Sequence, residues 1–562
     1  MNNKRGAVLV VALLVTVMVT ILSTIFMAKA MQEKNMAAIE LRSAKTEYAA
    51  EAGSNAGLLT LYNLINFYML NTVNATDPSI VSSNATTYAS AHNGVGFLVA
   101  YVRNGNTHLL TQGTNEAVYT STSTSLDDSG YSYTIRITQK SNPTSPSSNV
   151  WDFPFYFKIQ TRGASGSLYK KMTLNGDFTV RVQKDNFARY ALFTNSQTMP
   201  SGTQVWFNAR TNFSGPVFTN GQFNFAYNPS GTFYGLTKQA QQQARFYNNN
   251  HPVLIDSDHN GTADVPTFSA GFQRGVTAIS MPTSSQETDM ANQASASTSY
   301  SNNGIYLPYT GSTLKGGIYV RGDATVSLSV DSQSRQVVAI TQGSTSKTIT
   351  MDKANNQTIV RSGSTNTTYT GLPDGTSDIG PIIYVLGNIT SLGGTVQGAT
   401  QMTIASRNDV VIQNNLRYQN TTAASGTQGS SDYVPPSAEG YDNLLGLLSW
   451  QGNVRVGSSA PDDVEIDATV MAKQGIFTVD NYDEGSSRGV ATVLGGVISN
   501  NYGAFGTFSS STGAPVSGYG RNFVYDSRME TSATPPYFPT MNTFIAFTDD
   551  IEDKLSWQQG GF

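Results

Sequence analysis

Cysteine is absent from this chain of 562 residues, and histidine occurs only four times. Without cysteine the chain has no disulfide and no thiolate-bound metal. None of the histidines belongs to an H-E-x-x-H pair of zinc ligands, and no Gly-Lys dipeptide provides a Walker A phosphate loop. A G-x-S-x-G match at residues 485–489 lacks the later histidine of the α/β-hydrolase order. We therefore expect no enzymatic activity.

Charged side chains are also scarce, at 13% of residues, with a formal net charge of −4. Residues 200–379 carry 10 basic and 10 acidic side chains, whereas residues 380–562 carry 8 and 17, a local net charge of −9. Acidic surfaces repel phosphate, so a ligand-binding basic patch is expected in the middle region. Its candidates are Lys315, Arg321, Arg335, Lys347, Lys353 and Arg361. The alternative, which the even charge balance favours, is scattered surface charge.

The longest uncharged stretch is Ala7–Ala28, which has 22 residues and follows a basic leader containing Lys4 and Arg5. At about 1.5 Å per residue this segment reaches about 33 Å, enough to cross a bilayer. A signal peptide with Ala28-Lys29-Ala30 as its cleavage site is one alternative, but its apolar region is usually shorter. A plain signal anchor is another. The basic leader places the N-terminus in the cytoplasm and the rest of the chain outside.

Helix-forming residues continue beyond this stretch without a turn signal. Apolar residues recur at spacings of three and four and therefore share one stripe of this helix: Leu41, Ala44, Tyr48, Ala52, Ala56 and Leu59. Gly53 and Gly57 weaken a helix, which suggests either a bend or close packing against a sheet.

This N-terminus resembles that of type IV pilin-like proteins. The resemblance covers roughly residues 1–60, in Lys4-Arg5-Gly6, the apolar run from Ala7, and Glu47-Tyr48-Ala49-Ala50-Glu51-Ala52-Gly53. The nearest variety is the minor pilins with an A-x-E-A-G helix end. The resemblance implies cleavage by prepilin peptidase between Gly6 and Ala7, followed by methylation of Ala7. It also implies an inner-membrane precursor, and then an extracellular fimbrium in which the helix contacts other pilins.

One residue departs from the family pattern. Most pilins carry glutamate as the fifth mature residue, where this chain has Val11. In the family, that carboxylate is thought to pair with the N-terminal ammonium of the subunit ahead of it. A subunit at the tip has no other subunit ahead of it, and so no N-terminal ammonium to neutralise. The absence of the glutamate at Val11 therefore favours a place at the pilus tip. A minor subunit without a fixed place is the alternative.

The remaining chain predicts a β-rich protein. Strands are expected at 97–102, 131–138, 153–160 and 169–182, with a loop at 71–95 and a hairpin at 163–166. Farther on, short apolar runs recur between Gly and Asn corners, in places about 20 residues apart, which is typical of a β-solenoid; an irregular β-sandwich is the alternative.

The predicted fold class is α+β: a long N-terminal helix on an antiparallel sheet head, plus a large all-β, β-solenoid-like domain. The expected limits are a leader at 1–6, a transmembrane and assembly helix at 7–70, the sheet head at 71–190, the solenoid-like domain at 191–530 and a C-terminal segment at 531–562.

Residues 187–193 and 215–221 resemble, more weakly, large pilin-like proteins that bear a β-solenoid, including a competence-associated minor pilin proposed as a tip DNA receptor. This resemblance implies a DNA receptor for natural transformation. A tip adhesin for surface or glycan ligands, and a structural initiator of pilus assembly, are the alternatives.

Calcium is the expected cofactor. Oxygen ligands at loop positions 1, 3, 5 and 9, with Gly261 at position 6, match a calcium loop, although its last glutamate is replaced by Thr267. The expected ligand segment comprises Asp256, Asp258, Asn260, Thr262 and Asp264. An ion-free turn rich in Asp and Asn is the alternative. Four further carboxylates are the candidates for a polysaccharide-cleaving site that works with carboxylates alone: Asp462, Asp463, Glu465 and Asp467. The alternative, which their alternation favours, is a solvated strand face.

Overall fold

The chain forms two compact units. The computed structural model describes residues 3–147, 149–207, 211–225, 231–248, 251–255, 266–426, 432–509, 515–530, 533–548 and 556–560. One unit comprises Met1–Lys184 with Thr543–Phe562, and the other is Asp185–Asn542. The second unit is thus inserted in the sequence of the first. The α+β class expected from the sequence is confirmed.

The helices concentrate at the N-terminus. The α-helices are α1 (Asn3–Asn63), α2 (Leu70–Ala75), α3 (Pro78–Ser90), α4 (Gly94–Tyr101) and α5 (Ser284–Ser295). A π-helical turn, Leu64–Met69, joins α1 to α2, and short 3₁₀ turns occur at Phe187–Arg189 and Ser527–Glu530. The helix expected over 7–70 therefore continues to Ala75.

Residues 7–44 of α1 are exposed, whereas the second half of the helix packs on the sheet of the first unit. The apolar section of α1 is exposed, and within the described residues α1 belongs to the one helical run long and apolar enough to cross a membrane. Gly57 approaches the sheet so closely that an added Cβ would lie 2.6 Å from Ile159 Cγ2. The glycine therefore serves close helix–sheet packing, one of the two roles expected for it.

The face of α1 that meets the sheet is not the predicted stripe. The buried face is made mostly of small residues: Thr46, Ala49, Ala50, Gly53, Ser54, Gly57 and Leu61. Leu41, Tyr48 and Leu59 are instead 60%, 71% and 62% exposed. Periodicity places the apolar residues on one stripe without showing which face of the helix the sheet can approach most closely.

The structure contradicts two local predictions in the first unit. The loop expected at 71–95 contains α3, where Asp77 caps the helix by accepting a 2.9 Å hydrogen bond from Ser79 N and Pro78 occupies the first turn. The strand expected at 97–102 is α4, capped by the Asn93 side chain, which accepts from Gly96 N. A short apolar run does not distinguish a strand from a buried helix.

The sheet of the first unit has the order β3-β4-β6-β8-β9-β41, where β41 is Thr540–Thr548, and β42 (Ser556–Gly560) also pairs with β9. The pairs from β3 to β9, and the β9–β42 pair, are antiparallel. Strands β6, β8 and β9 confirm the expected segments. A hairpin joins β8 to β9 as expected, but it turns at 166–167, because residues 163–165 belong to β8 and Ser165 pairs with Leu168. The strands up to β9 are β1 (Arg103–Asn104), β2 (Thr107–His108), β3 (Thr111–Gln112), β4 (Glu116–Thr120), β5 (Thr124–Leu126), β6 (Ser129–Gln139), β7 (Thr144–Ser147), β8 (Val150–Ser165) and β9 (Leu168–Asn186).

The second unit is built almost wholly of short strands. The first set is β10 (Leu192–Ser196), β11 (Val217–Thr219), β12 (Asn224–Phe225), β13 (Thr232–Phe233), β14 (Thr237–Gln239), β15 (Ala244–Asn248), β16 (His251–Ile255), β17 (Thr267–Phe268), β18 (Phe272–Gln273), β19 (Gly304–Tyr306), β20 (Tyr309–Thr310), β21 (Thr313–Leu314), β22 (Ile318–Arg321), β23 (Ala324–Val330), β24 (Gln336–Gln342), β25 (Thr345–Asp352), β26 (Gln357–Ser362) and β27 (Thr365–Thr370).

Strands continue through the rest of the chain. The last two, β41 and β42, belong to the sheet of the first unit. The strands of this part of the chain are β28 (Ile382–Leu386), β29 (Ile389–Val396), β30 (Gln401–Ser406), β31 (Val410–Tyr418), β32 (Leu444–Ser449), β33 (Val454–Val456), β34 (Glu465–Asp467), β35 (Thr469–Ala472), β36 (Phe477–Val479), β37 (Ser487–Leu494), β38 (Val497–Asn501), β39 (Gly506–Phe508), β40 (Pro515–Val524), β41 (Thr540–Thr548) and β42 (Ser556–Gly560).

Successive turns of the second unit pair in parallel, as a solenoid requires. One long sheet has the order β18-β14-β11-β10-β38-β35-β32-β30-β28-β22-β19, and Ile382 pairs with Thr403 in the register expected from their spacing. The chain enters this sheet in its middle, at β10, and moves outward to β18. It then restarts at the opposite edge and returns strand by strand until β38 pairs with β10.

An in-register ladder of buried aliphatic side chains runs through this sheet and holds the turns together. Parallel pairing places one member of the ladder directly over the next, which excludes water from the stack. Its members are Ile318, Ile383, Ile404, Leu447, Val470, Val497, Leu192 and Val217.

An antiparallel meander, β23 to β27, departs from the solenoid pattern. Its strands pair in chain order, and β23 also pairs in parallel with β29. The meander is therefore part of a second long sheet, in the order β20-β21-β27-β26-β25-β24-β23-β29-β31-β34-β37-β40-β39. Four of the candidate basic residues lie on the strands or turns of this meander, so its two faces decide which of them meet: Arg335, Lys347, Lys353 and Arg361.

Candidate functional site

The cleavage site expected at Gly6 and Ala7 lies near the start of α1, in the section of the helix that is exposed from Ala7 onward. The expected calcium ligands Asp256, Asp258, Asn260, Thr262 and Asp264 lie outside the described residues. Among the residues that the structure does describe, no cluster of three or more His, Asp or Glu side chains has metal-binding geometry.

Two of the candidate basic residues, Arg335 and Lys353, line a cleft of about 790 Å³. We call it the polar cleft; it lies beside Gln336, Asp352, Asp374, Gln397 and Thr400. Arg335 forms ion pairs of 2.7 Å with Asp331 and 3.4 Å with Asp352. Lys353 donates a 3.1 Å hydrogen bond to the carbonyl oxygen of Ala399. Because Arg335 is already neutralised by carboxylates, it adds little positive potential to the cleft.

The two carboxyl groups of the polar cleft differ in their titration. Hydrogen bonds from Asn355, aided by Arg335, lower the pKa of Asp352. Burial, together with the charge of Asp378, raises the pKa of Asp374 to about 6. One oxygen of Asp374 is buried without a hydrogen-bond partner in the structure. The cleft thus holds one ionised carboxylate and one carboxyl group that titrates near neutrality.

The remaining candidate basic residues do not share a surface. Lys347 lies opposite Ile340 in the β24–β25 pair and so points to the buried face of the meander. Arg361 pairs with Thr348, the neighbour of Lys347, and therefore points to the other face. Arg321 ends β22 on the other long sheet. The structure therefore brings Arg335 and Lys353 together, and Lys347 with Lys315, but forms no single strip.

Lys315 and Lys347 both line a second concavity, of about 510 Å³. We call it the tyrosine pocket and define it by its principal lining residues: Tyr300, Tyr306, Tyr309, Tyr369, Lys315 and Lys347. The rings of Tyr300 and Tyr306 stack with centroids 3.8 Å apart, and those of Tyr309 and Tyr369 lie 4.9 Å apart at 49°. The pocket therefore combines aromatic faces with ammonium groups.

The ammonium groups of this pocket are uncompensated. Lys347 Nζ donates a 2.8 Å hydrogen bond to the carbonyl oxygen of Ile305, and partial burial lowers its pKa. Among the described residues, no carboxylate lies within ion-pairing distance of Lys315 or Lys347, and the pocket lining contains no acidic residue. Lys347 is half-buried with no anion beside it, which disfavours its charged form, and the exposed Lys315 adds a second positive charge. The pocket is therefore suited to an anionic group.

A register relationship positions one wall of the tyrosine pocket. Tyr306 pairs with Tyr319 across β19 and β22, and Tyr319 pairs with Tyr384 across β22 and β28. The rings of Tyr319 and Tyr384 are 6.0 Å apart and nearly parallel, and Tyr384 donates a 3.1 Å hydrogen bond to Glu287 of α5. Helix α5 thus covers one end of this stack, while Tyr306 ends it at the pocket.

Sequence reasoning did not identify the tyrosine pocket. The local signal was three tyrosines, Tyr300, Tyr306 and Tyr309, within ten residues. Tyr369 and Lys347 come from other strands, and only the meander brings them beside those three.

The four carboxylates considered near residue 465 are not one solvated face. Asp462 is exposed and pairs with Arg488, and Glu465 pairs with Arg417 at 2.5 Å. Asp467 is buried and accepts hydrogen bonds from Tyr418 N at 2.8 Å and Thr421 Oγ1 at 3.2 Å. Burial raises the pKa of Asp467 to about 6. The expected solvated face was wrong for Asp467, because exposed and buried residues do not alternate along β34. The Asp467 carboxylate is buried where it links β34 to Tyr418 of β31, in another turn of the solenoid.

One family model, described as a domain of unknown function (DUF4900), matches residues 152–240. The match begins within β8 and ends just after β14, so it covers less than half of the chain and does not identify a pilin family. No curated protein and no solved structure matches the chain.

Proposed function

We propose that this protein is a minor pilin-like subunit at the tip of a type IV pilus, with its second unit as an extracellular binding module. The supporting observation is the exposed apolar stripe of α1, represented by Leu41, Tyr48 and Leu59. The apolar segment Ala7–Ala28 fills a bilayer of about 30 Å, so this stripe lies beyond the membrane. Large apolar side chains exposed outside a bilayer mark a protein interface. Helices of neighbouring pilins are the proposed occupants.

The proposed route begins with a precursor in the inner membrane. Prepilin peptidase cuts after Gly6, Ala7 is methylated, and the helix moves from lipid into the filament. Val11, which replaces the usual glutamate, supports a place at the tip. We assign the chain an assembly and binding role rather than an enzymatic one.

Two classes of ligand are proposed for the second unit. The tyrosine pocket favours a tip adhesin that binds a glycan, because ring faces and uncompensated cations lie together there. DNA uptake in natural transformation is the second candidate. It is favoured by Arg321 and Arg361, for which the described residues provide no acidic partner, and by the resemblance to a competence-associated minor pilin. A structural initiator would need neither ligand.

Mass spectrometry of the native protein tests the processing step. The expected N-terminus is an N-methylated Ala7. An N-terminus at Met31 would establish ordinary signal-peptide cleavage and overturn the pilin proposal.

Immunogold labelling of sheared pili tests the position of the subunit in the pilus, because antibodies against a tip subunit label only one end. Labels along the shaft would refute the tip position while leaving the pilin assignment in place.

A further inference from the structure

We propose that the tyrosine pocket binds an acidic polysaccharide. One sugar ring stacks on Tyr309 and Tyr369, and the carboxylate of that sugar pairs with the ammonium groups of Lys315 and Lys347. This inference deepens the adhesin form of the proposed function, and it rests on that function only for the delivery of the second unit outside the cell.

The aromatic part of the site is open to a ring. Tyr309 is 56% exposed and belongs to β20, whose hairpin to β21 turns at Gly311 with φ +62°. Its tilt of 49° against Tyr369 leaves the two rings as adjoining walls rather than a closed stack. Exposed apolar ring faces in a concavity are places where the C–H face of a sugar can displace water.

The polar part of the site matches a single anion. Lys347 is held in place by its hydrogen bond to Ile305 O, and Lys315 is exposed at the same pocket. Threonine hydroxyls at Thr298 and Thr310 also line the pocket and can exchange hydrogen bonds with sugar hydroxyls. A sugar carboxylate would neutralise the half-buried ammonium group of Lys347 and also pair with the exposed ammonium group of Lys315.

The same features favour a polysaccharide over a nucleic acid. A nucleic-acid strand carries a phosphate at every nucleotide and needs a groove of cations that follows its backbone. The candidate basic residues form no such strip, since Arg335 is paired with acids and Arg361 points away from Lys347. The whole chain carries a net charge of −4. Two lysines in one concavity fit one anionic ring better than a run of phosphates.

Calorimetric titration of the full-length protein tests the proposal. A polyoxyethylene detergent is used, because the head group of a maltoside is itself a sugar. The ligands are an oligogalacturonate, its fully methyl-esterified form and a single-stranded thymidine oligonucleotide of similar length. The variants are Tyr309→Ala and Lys315→Gln. Their matched controls are Tyr234→Ala, at an exposed tyrosine outside the pocket, and Lys158→Gln, at an exposed lysine on β8 of the first unit.

The oligogalacturonate should bind about tenfold or more tightly than its ester, since only the acid offers a carboxylate to the lysines. Tyr309→Ala should weaken binding by about tenfold, and Lys315→Gln should reduce the preference for the acid, while both controls bind like the parent. Because Tyr309 is exposed, unchanged thermal melting is expected for its variant.

Equal binding of acid and ester, absence of binding, or binding indifferent to Tyr309→Ala would each overturn the proposal. Tighter binding of the oligonucleotide, lost in Tyr309→Ala, would assign the pocket to nucleic acid instead. These outcomes are independent of the N-terminal processing test, so the failure of either proposal can be told from the failure of the other.

Discussion

Gly163 of β8 lies directly beneath Ala50 of α1, so close that a Cβ added to the glycine would overlap the Ala50 backbone nitrogen. Two ion pairs flank this contact, Lys45–Asp128 at 2.9 Å and Lys170–Glu47 at 2.7 Å. The helix therefore reaches the sheet through backbone contact rather than through large side chains. The small buried residues of α1 explain why its larger apolar residues face away from the sheet.

Gly163→Val should destabilise the first unit by about 1–3 kcal/mol, because the added side chain must displace the α1 backbone. Gly166→Asn is the matched control. Gly166 has φ +60° with open space around its Cβ position, and asparagine tolerates this conformation. Chemical denaturation of the two variants measures the difference. Equal stability would show that α1 does not pack on β8 at this glycine.

Tyr48→Glu should prevent incorporation into pili while leaving the fold intact. Tyr48 is 71% exposed on the stripe proposed to contact neighbouring helices, and a buried unpaired carboxylate opposes such packing. Immunoblots of sheared pili and of membranes measure the distribution of the protein. Tyr156→Glu is the control, at an exposed tyrosine on β8, and should assemble normally. Normal assembly of both variants would contradict the role of the stripe.

Asp467→Asn should stabilise the second unit at neutral pH. Burial raises the folded-state pKa of Asp467 from 3.8 to about 6. A raised carboxyl pKa contributes stability below the unfolded value, and this contribution is lost as the pH rises through about 6. Asparagine can still accept from Tyr418 N without a charge, so the gain near pH 7 should be at most about 3 kcal/mol.

The gain from Asp467→Asn should fall sharply near pH 4, where the folded parent carries the proton and its unfolded state, with a pKa of 3.8, is already partly protonated. Denaturation at the two pH values measures it, with Asp289→Asn on the exposed surface of α5 as control. A gain that does not depend on pH would indicate altered packing rather than titration.

Arg335→Ala should lower the stability of the second unit by about 1–2 kcal/mol, since it leaves Asp331 and Asp352 without their cation. Arg361→Ala removes an exposed arginine that donates to Gly363 O and should change stability by less than about 0.5 kcal/mol. Denaturant titration of both variants gives the comparison. An equal loss of stability in both variants would show that the ion pairs of Arg335 contribute no more to stability than the exposed contact of Arg361.

Removal of calcium should lower the melting temperature if the segment Asp256–Asp264 binds the ion as its spacing suggests. Binding to the folded state alone stabilises by about 2.7 kcal/mol at a hundredfold excess over Kd. Calorimetric melting with and without chelator measures the effect, and Asp258→Ala should abolish it. A parent protein whose melting is indifferent to chelator would support an ion-free turn.

The sequence by itself determined the features that depend on local chemistry. The apolar stretch from Ala7 predicted the long helix, the alternation around Tyr133 predicted β6, and spacings near 20 residues predicted parallel stacking of Ile382 on Thr403. Each rests on periodicity within one segment, or between neighbouring segments, of the chain.

Tertiary structure alone decided which face of α1 meets the sheet, because that depends on how closely Gly163 lets the backbones approach. It also decided which cations share a surface. Lys347 lies next to Thr348, the residue that pairs with Arg361. Because successive side chains on a strand alternate between faces, Lys347 and Arg361 point to opposite faces of the sheet. The tyrosine pocket likewise exists only because the meander brings Tyr369 and Lys347 beside Tyr309, and no spacing within one segment encodes such a meeting.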